Sequence, residues 1–203
     1  MLTLIDPPID PIFTLAEAKA FLRVDHDDDN DLITTLIAAA ASRLDGRDGV
    51  LGRCLRPQRW RFDADAFPAT GDTLRLPLPP TVTVEQIQYY DTAGTLTTWA
   101  GTLWREVTGG WSGAGVIPVT GQDWPTTEAV PDTVQVTFIA GYSDATSPAA
   151  APDAIPEAIR LAARMMVGDW YENRLNTVIG ATGYELPYAA VVLLAPFRIL
   201  PIA

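Results

Sequence analysis

The chain has 203 residues, 48% of them hydrophobic, and its 25 Asp and Glu against 14 Lys and Arg give a formal net charge of −11. A chain of this size can bury a core without covalent staples. One Cys and one His, Cys54 and His26, exclude an intrachain disulfide, a Cys-based zinc site and a paired-imidazole metal site. The excess of acidic residues also disfavours ordinary binding to duplex nucleic acid, because that binding depends on clustered Lys and Arg that neutralise phosphates.

Acidic residues exceed basic ones throughout the chain, by 10 to 5 over residues 1–54, 9 to 5 over 55–143 and 6 to 4 over 144–203. Lys19 is the only lysine. Arginine suits protein interfaces, but a GC-rich genome would produce the same bias, so both explanations stay open. The longest apolar stretch, residues 189–197, is far shorter than the roughly 20 residues of a membrane span. We therefore expect no membrane contact and a soluble protein made in the cytoplasm.

The first predicted elements are two helices. Thr14 and Glu17 have the spacing of a capping box, which predicts a short helix ending near Leu22. Apolar residues then recur at helical spacing from Leu32 to Leu44, and an Asp of the preceding acidic run would cap that second helix.

A β region follows from Leu55 to about Tyr142. Its apolar residues alternate with polar ones, as in Val134, Val136 and Phe138, and turn-forming sequences rich in Gly, Pro and Asp separate the runs. A third helix is predicted from about residue 152 to 173, with an apolar stripe that includes Trp170. Pro187 can open a short apolar helix.

We therefore predict an α+β fold in which N-terminal helices and a long C-terminal helix form a helical core with an inserted antiparallel β module. The predicted boundaries give residues 1–54 and 144–203 to the helical core and 55–143 to the β module.

Catalytic and metal-binding patterns are weak. Asp25, Asp27 and Asp29 have the first three spacings of an EF-hand loop, but Asn30 stands where that loop needs Gly and Leu36 where it needs Glu. Pairs of carboxylates for glycoside hydrolysis can be drawn from residues 63, 65, 72 and 106, as from any chain with so many acids. We therefore expect no enzyme activity, no cofactor and no metal.

Two further features fit a binding protein. Four tryptophans lie in the β region, several beside its loops, and could stack on sugars: Trp99, Trp104, Trp111 and Trp124. A carbohydrate- or receptor-binding module is accordingly the alternative function. The apolar C-terminal segment, residues 186–200, needs burial either in the chain's own core or against a partner.

Taken in order, several segments resemble the head-to-tail connector (adaptor) proteins of tailed bacteriophages and gene transfer agents. The resemblance covers almost the whole chain. The segments are Thr14–Lys19 with Leu22–Asp25, the Asp-rich entry to the helix Leu32–Ala40, Pro57–Trp60, Phe138–Tyr142, Trp170–Arg174, Leu186–Tyr188 and Leu194–Arg198.

The resemblance implies a structural particle protein that forms a ring, usually of twelve copies, between the portal protein and a tail or stopper protein. It places the chain in the neck of a virion or gene-transfer-agent particle, and in the host cytoplasm before assembly. It also implies that the C-terminal segment engages the portal. The residues expected at the portal or ring interface are Tyr188, Leu194, Phe197, Arg198, Ile199, Leu200, Trp170 and Arg174.

On the same resemblance, DNA passes through the ring without specific binding. Carboxylates lining such a channel would repel phosphate, whereas basic residues would retain it. The acidic residues expected to face the channel or a subunit seam are Asp25, Asp27, Asp28, Asp29 and Asp31.

Overall fold

The computed structural model describes residues 1–107, 114–142, 155–173 and 187–199. The chain divides into two compact units. The β unit comprises Met1–Pro8 and Pro57–Ala151, and the helical unit comprises Ile9–Arg56 and Pro152–Ala203.

The helical unit contains α1 (Leu15–Leu22), α2 (Asn30–Leu44), α3 (Glu157–Glu172) and α4 (Tyr188–Leu194), which continues into one 3₁₀ turn over Ala195–Phe197. Helix α3 packs against α1, α2 and α4. The helical core is therefore assembled around α3.

Helix α1 begins with the predicted capping box. The Glu17 amide donates to Thr14 Oγ1 at 3.2 Å, and the Thr14 amide donates to Glu17 Oε2 at 2.7 Å. Both groups would otherwise be unpaired at a helix start. The helix ends at Leu22, and Arg23 follows with a left-handed backbone (φ 59°) that turns the Val24 amide to the Lys19 carbonyl at 3.0 Å.

The buried stripes of α2 and α3 follow the predicted helical spacing. In α2 the buried residues are Ile33, Ile37, Ala40 and Leu44. In α3 they are Ile159, Ala162, Ala163, Met166 and Val167. Helix α3 begins after Pro156 and ends at Glu172; the start predicted near residue 152 lies outside the described residues.

A closed loop over residues 45–56 follows α2. The Leu55 amide donates to Asp45 Oδ1 at 2.6 Å, and the Gly46 amide donates to the Arg53 carbonyl at 2.9 Å. A Cβ at Gly49 would lie 2.5 Å from the backbone of Leu44 and Asp45, so only glycine fits there. The loop buries Leu51, Cys54 and Leu55.

The described residues of the β unit form eight strands in two antiparallel sheets. The strands are β1 (Leu2–Asp6), β2 (Gln58–Ala64), β3 (Leu74–Arg75), β4 (Thr81–Tyr90), β5 (Leu96–Trp99), β6 (Trp104–Val107), β7 (Gly115–Pro118) and β8 (Val134–Ala140). The larger sheet has the order β1-β2-β8-β4-β5, and the smaller has the order β3-β7-β6. The alternation predicted for β8 is confirmed, because Val134, Val136 and Phe138 are fully buried.

The predicted α+β class is confirmed. One element differs from the sequence analysis, which has no strand before the first helix. Residues 2–6 form strand β1, which pairs with β2 in the register Leu4 to Trp60. At five residues, its alternation is too short to distinguish a strand from an extended lead. The division of the chain at residues 54 and 143 stays a prediction.

Candidate interaction site

The helical unit carries both surfaces that the sequence analysis singled out, the acidic run before α2 and the C-terminal segment. In the acidic run, Asp25, Asp27, Asp28 and Asp31 are exposed and Asp29 is half-buried. The run leads directly into the N-terminal end of α2, whose partial positive charge stabilises carboxylates.

Asp27 is fixed by the chain's only lysine. Lys19 Nζ lies 2.7 Å from Asp27 Oδ1 and 3.0 Å from Asn30 Oδ1, while Asn30 Nδ2 donates to the same Asp27 oxygen at 3.1 Å. The hydrogen bond from Lys19, followed by that from Asn30, lowers the pKa of Asp27 below its usual value. This carboxylate therefore joins the end of α1 to the start of α2.

Asp29 also has a structural role. It is the N-terminal capping position of α2, yet its side chain makes no capping hydrogen bond. Instead the Tyr171 hydroxyl, near the end of α3, donates to Asp29 Oδ2 at 2.6 Å. The start of α2 is thereby tied to α3 by a bond between residues 142 positions apart.

The three other acids of the run, Asp25, Asp28 and Asp31, are exposed and make no ion pair within the described residues. Within the same residues, no group of three or more His, Cys, Asp and Glu side chains has an arrangement that could hold a metal ion. In this run, Asp27 and Asp29 therefore hold helices together, and the other three carboxylates are exposed to solvent.

The C-terminal segment has a buried side and an exposed side. Tyr188 is 77% exposed and Arg198 is exposed, whereas Leu194 is 4% exposed and lies in the core of its own unit. Phe197 and Ile199 are half-buried. In this conformation the predicted interface residue Leu194 therefore contributes to the helical core.

The end of the segment is attached to the loop after α2. The Ile199 amide donates to the Leu51 carbonyl at 2.9 Å. Gly52 has φ +65°, and a Cβ there would lie 3.2 Å from the Ile199 carbonyl oxygen. Trp170 is half-buried on α3, while two other predicted interface residues, Arg174 and Leu200, lie outside the described residues.

Sequence reasoning missed two exposed residues of α4. Val191 is 45% exposed and Val192 is 53% exposed. Together with Tyr188 they occupy positions i, i+3 and i+4 of one helix face. An apolar run alone does not reveal which of its faces is left uncovered, so this signal required the fold.

The aromatic residues of the β unit form a cluster of their own. Phe67 stacks on Trp124 with ring centroids 5.0 Å apart, and Trp99 lies 5.4 Å from Trp124 and 5.7 Å from Phe67. Trp99 is 6% exposed, and Trp111 lies outside the described residues. Rings engaged with one another offer little open surface for a sugar, so the carbohydrate alternative is not favoured.

Three of the four carboxylates considered for glycoside hydrolysis have structural partners. Asp63 is buried beside Arg61 Nε at 2.8 Å, and Asp65 Oδ1 accepts from the Asp132 amide at 3.0 Å. Glu106 Oε1 accepts from the Val84 amide at 2.7 Å. These hydrogen bonds and ion pairs stabilise the β unit.

In the described ranges, no helix is both long and apolar enough to cross a bilayer.

Comparison with known proteins finds a family that resembles part of the chain and solved structures that share its fold. Residues 12–58, which contain α1, α2 and the loop after α2, match the family described as phage gp6-like head-tail connector protein. No curated protein matches the chain.

Several solved structures share the fold along the whole chain. One is a chain of the neck of an empty gene transfer agent (GTA) particle computed with C6 symmetry, with a TM-score of 0.74 and 22% identity. A second belongs to the virion of a native GTA particle, with a TM-score of 0.75 and 22% identity. A third belongs to the neck of a native GTA particle computed with C12 symmetry, with a TM-score of 0.65 and 22% identity.

Each of these matches covers 100% of this chain and 97% of the other. The resemblance stated from the sequence is therefore confirmed: residues 12–58 match the gp6-like head-tail connector family, and the chain as a whole has the fold found in the neck of the gene transfer agent particle.

Proposed function

We propose that this protein is a head-to-tail connector, a structural component that forms a ring in the neck of a phage or gene-transfer-agent particle. The proposal is carried by two similarities that agree, one to a protein family and one to solved structures. A connector family matches the segment that builds α1 and α2, and neck structures match the fold over the full length. The function is structural, and we expect no catalysis.

The ring joins the portal protein on one side to a tail or stopper protein on the other, and twelve copies complete it. Support for this number comes from the neck structure with C12 symmetry that shares the fold. A ring needs two different surfaces on each copy, one for each neighbour. The C-terminal segment provides one surface for contacts with other particle proteins, since Tyr188, Val191 and Val192 are exposed there.

DNA passes through the ring without specific binding. Asp25 and Asp28 face the channel and keep phosphate from adhering, because their carboxylates are exposed and unpaired within the described residues. Asp31 lies at the channel or at a seam between copies. Asp27 and Asp29 contribute charge near the channel while holding α1, α2 and α3 together.

Deleting residues 187–203 from the full-length chain tests the proposed docking segment. We expect the truncated protein to lose its binding to the portal protein of the same particle in a pull-down assay and to be absent from particles. A matched control replaces Leu96, an exposed apolar residue of the β unit, with Ser, and should leave portal binding intact. Portal binding retained by the truncated chain would contradict the docking role, and glycan binding by the intact chain would support the carbohydrate alternative.

A further inference from the structure

Helix α4 presents an apolar face that stays exposed beside the described residues of its own unit. Tyr188, Val191 and Val192 are 77%, 45% and 53% exposed, while Ala190 and Leu194 on the other side are buried. Residues 187–197 contain no charged side chain. A helix with one apolar face in its core and a second apolar face in water is typical of a contact surface for another protein.

Helix α2 presents an outer face of a complementary kind. Its exposed residues from the second turn to Ser42 are small and uncharged, namely Thr34, Thr35, Ala38, Ala39 and Ser42, and Arg43 is exposed in the last turn of the helix. Residues 32–42 contain no charge at all, although the solvent face of a surface helix usually carries charged residues. Short side chains leave a shallow surface into which the larger Tyr188 and Val192 can pack.

The two faces differ and are available at the same time. Helix α3 packs against both α2 and α4, whose outward faces are left exposed. A head-to-tail contact joins two unlike surfaces of identical copies and so propagates around a ring. The net charge of −11 makes copies repel each other, which favours contacts through uncharged surfaces.

The charges at the ends of these faces are complementary. Arg198 is exposed just after α4, and Asp31 is exposed in the first turn of α2. Neither makes an ion pair within the described residues. Helical rise gives about 17 Å from Tyr188 to Arg198 and about 17 Å from Asp31 to Ser42, so the two faces match in length.

We propose that α4 of one copy packs antiparallel on the outer face of α2 of the next copy. Tyr188 and Val192 lie over the small side chains, and Arg198 pairs with Asp31 of the neighbouring copy. The inference rests on the proposed ring and specifies one of its seams. It assigns Tyr188, Val192 and Arg198 to the neighbouring copy and leaves the other residues of the C-terminal segment for portal docking.

Disulfide trapping in assembled particles tests the contact. Ala38→Cys and Val192→Cys are both exposed positions, and the native Cys54 is buried. Particles that carry the double variant should give, on mild oxidation, a ladder of covalent multimers of this chain. Each single variant should give about tenfold less dimer, and so should the pair Arg47→Cys with Val192→Cys, which places one thiol on the loop beyond α2.

A charge exchange provides a second test. Arg198→Asp should reduce incorporation into particles about tenfold, because it sets two carboxylates against each other at every seam. Asp31→Arg combined with Arg198→Asp should restore incorporation to near the wild-type level. A portal contact by Arg198 would not be rescued by a change at Asp31.

The outcomes separate this inference from the connector role. If the chain occupies the neck but gives no ladder and no charge rescue, the α2–α4 contact is wrong and the connector role stands. A crosslink from Val192→Cys to the portal protein also overturns the contact. If the chain is absent from the neck, both proposals fail.

Discussion

Glu17, at the third position of α1, forms an ion pair with Arg160 of α3 and also completes the capping box with Thr14. The same carboxylate lies 3.4 Å from Arg164 Nη2, and both guanidinium groups are largely buried, with side chains 15% and 17% exposed. One side chain thus defines where α1 begins and holds it against the central helix.

Replacing Glu17 with Gln should destabilise the protein. The variant keeps a polar group near Thr14 but leaves two partly buried arginines with less compensating charge, so we expect a loss of about 1–3 kcal/mol in the free energy of unfolding. Glu157→Gln is the matched control, because Glu157 contacts the same two arginines from an exposed position and should cost about 0.5 kcal/mol or less. Urea denaturation measures both; equal losses would contradict the central role of Glu17.

The contribution of Glu17 should depend on pH. The hydrogen bond from the Thr14 backbone is the main cause that lowers its pKa from the usual 4.5, with Thr14 Oγ1, Arg160 and Arg164 acting in the same direction against burial. The folded state therefore holds this proton less tightly than the unfolded state. The stabilisation is complete above the unfolded pKa and is lost as the pH falls through the folded one.

The stability difference between wild type and Glu17→Gln should accordingly be constant near neutral pH and shrink as the pH falls below 4.5. Thermal unfolding of the two proteins over a series of pH values measures it. If the stability difference stays constant into the acid range, the charge of the Glu17 carboxylate is not the source of the stabilisation.

Removing one hydroxyl should loosen the start of α2. Tyr171→Phe deletes the 2.6 Å hydrogen bond to Asp29 while keeping the aromatic ring. A hydrogen bond to a charged acceptor contributes about 1.5–3 kcal/mol, so the melting temperature should fall by several degrees. Tyr188→Phe is the control, because Tyr188 is 77% exposed, and it should leave the melting temperature unchanged. Similar melting temperatures for the two variants would contradict the role assigned to Tyr171.

The acidic run should separate into stabilising and channel-facing residues. Asp25→Asn with Asp28→Asn changes only exposed carboxylates, so thermal stability should remain near that of the wild type while DNA ejection from particles slows. Asp27→Asn with Asp29→Asn removes the same charge but breaks the contacts to Lys19 and Tyr171, and should lower stability. Normal packaging, retention and ejection of DNA in the Asp25/Asp28 variant would remove the channel role.

Local signals account for the parts of the fold that could be predicted from the sequence. The Thr14–Glu17 capping box, the helix after Pro187 and the alternation at Val134–Phe138 each depend on neighbours within a few residues. The five-residue strand β1 depends instead on a partner about 55 positions away, because Leu4 pairs with Trp60. Pairings of that kind leave no mark in local periodicity.

The candidate surfaces show the same division. The acidic run and the apolar C-terminal segment are visible as composition, but composition cannot separate Asp27 and Asp29, which are engaged by distant residues, from Asp25 and Asp28. Nor could it show that Leu194 lies in the core while Val192 is exposed on the same short helix. Only packing against α3 distinguishes the two sides of α4.

The most direct test of the connector role is the position of this chain in the particle. Cryo-electron microscopy of particles from the producing cell, with and without the gene for this chain, should show density for its helical and β units as a twelve-membered ring directly beneath the portal. Particles that lack the chain should lose that ring and remain tailless. A neck whose density is unchanged when the chain is absent would contradict the account.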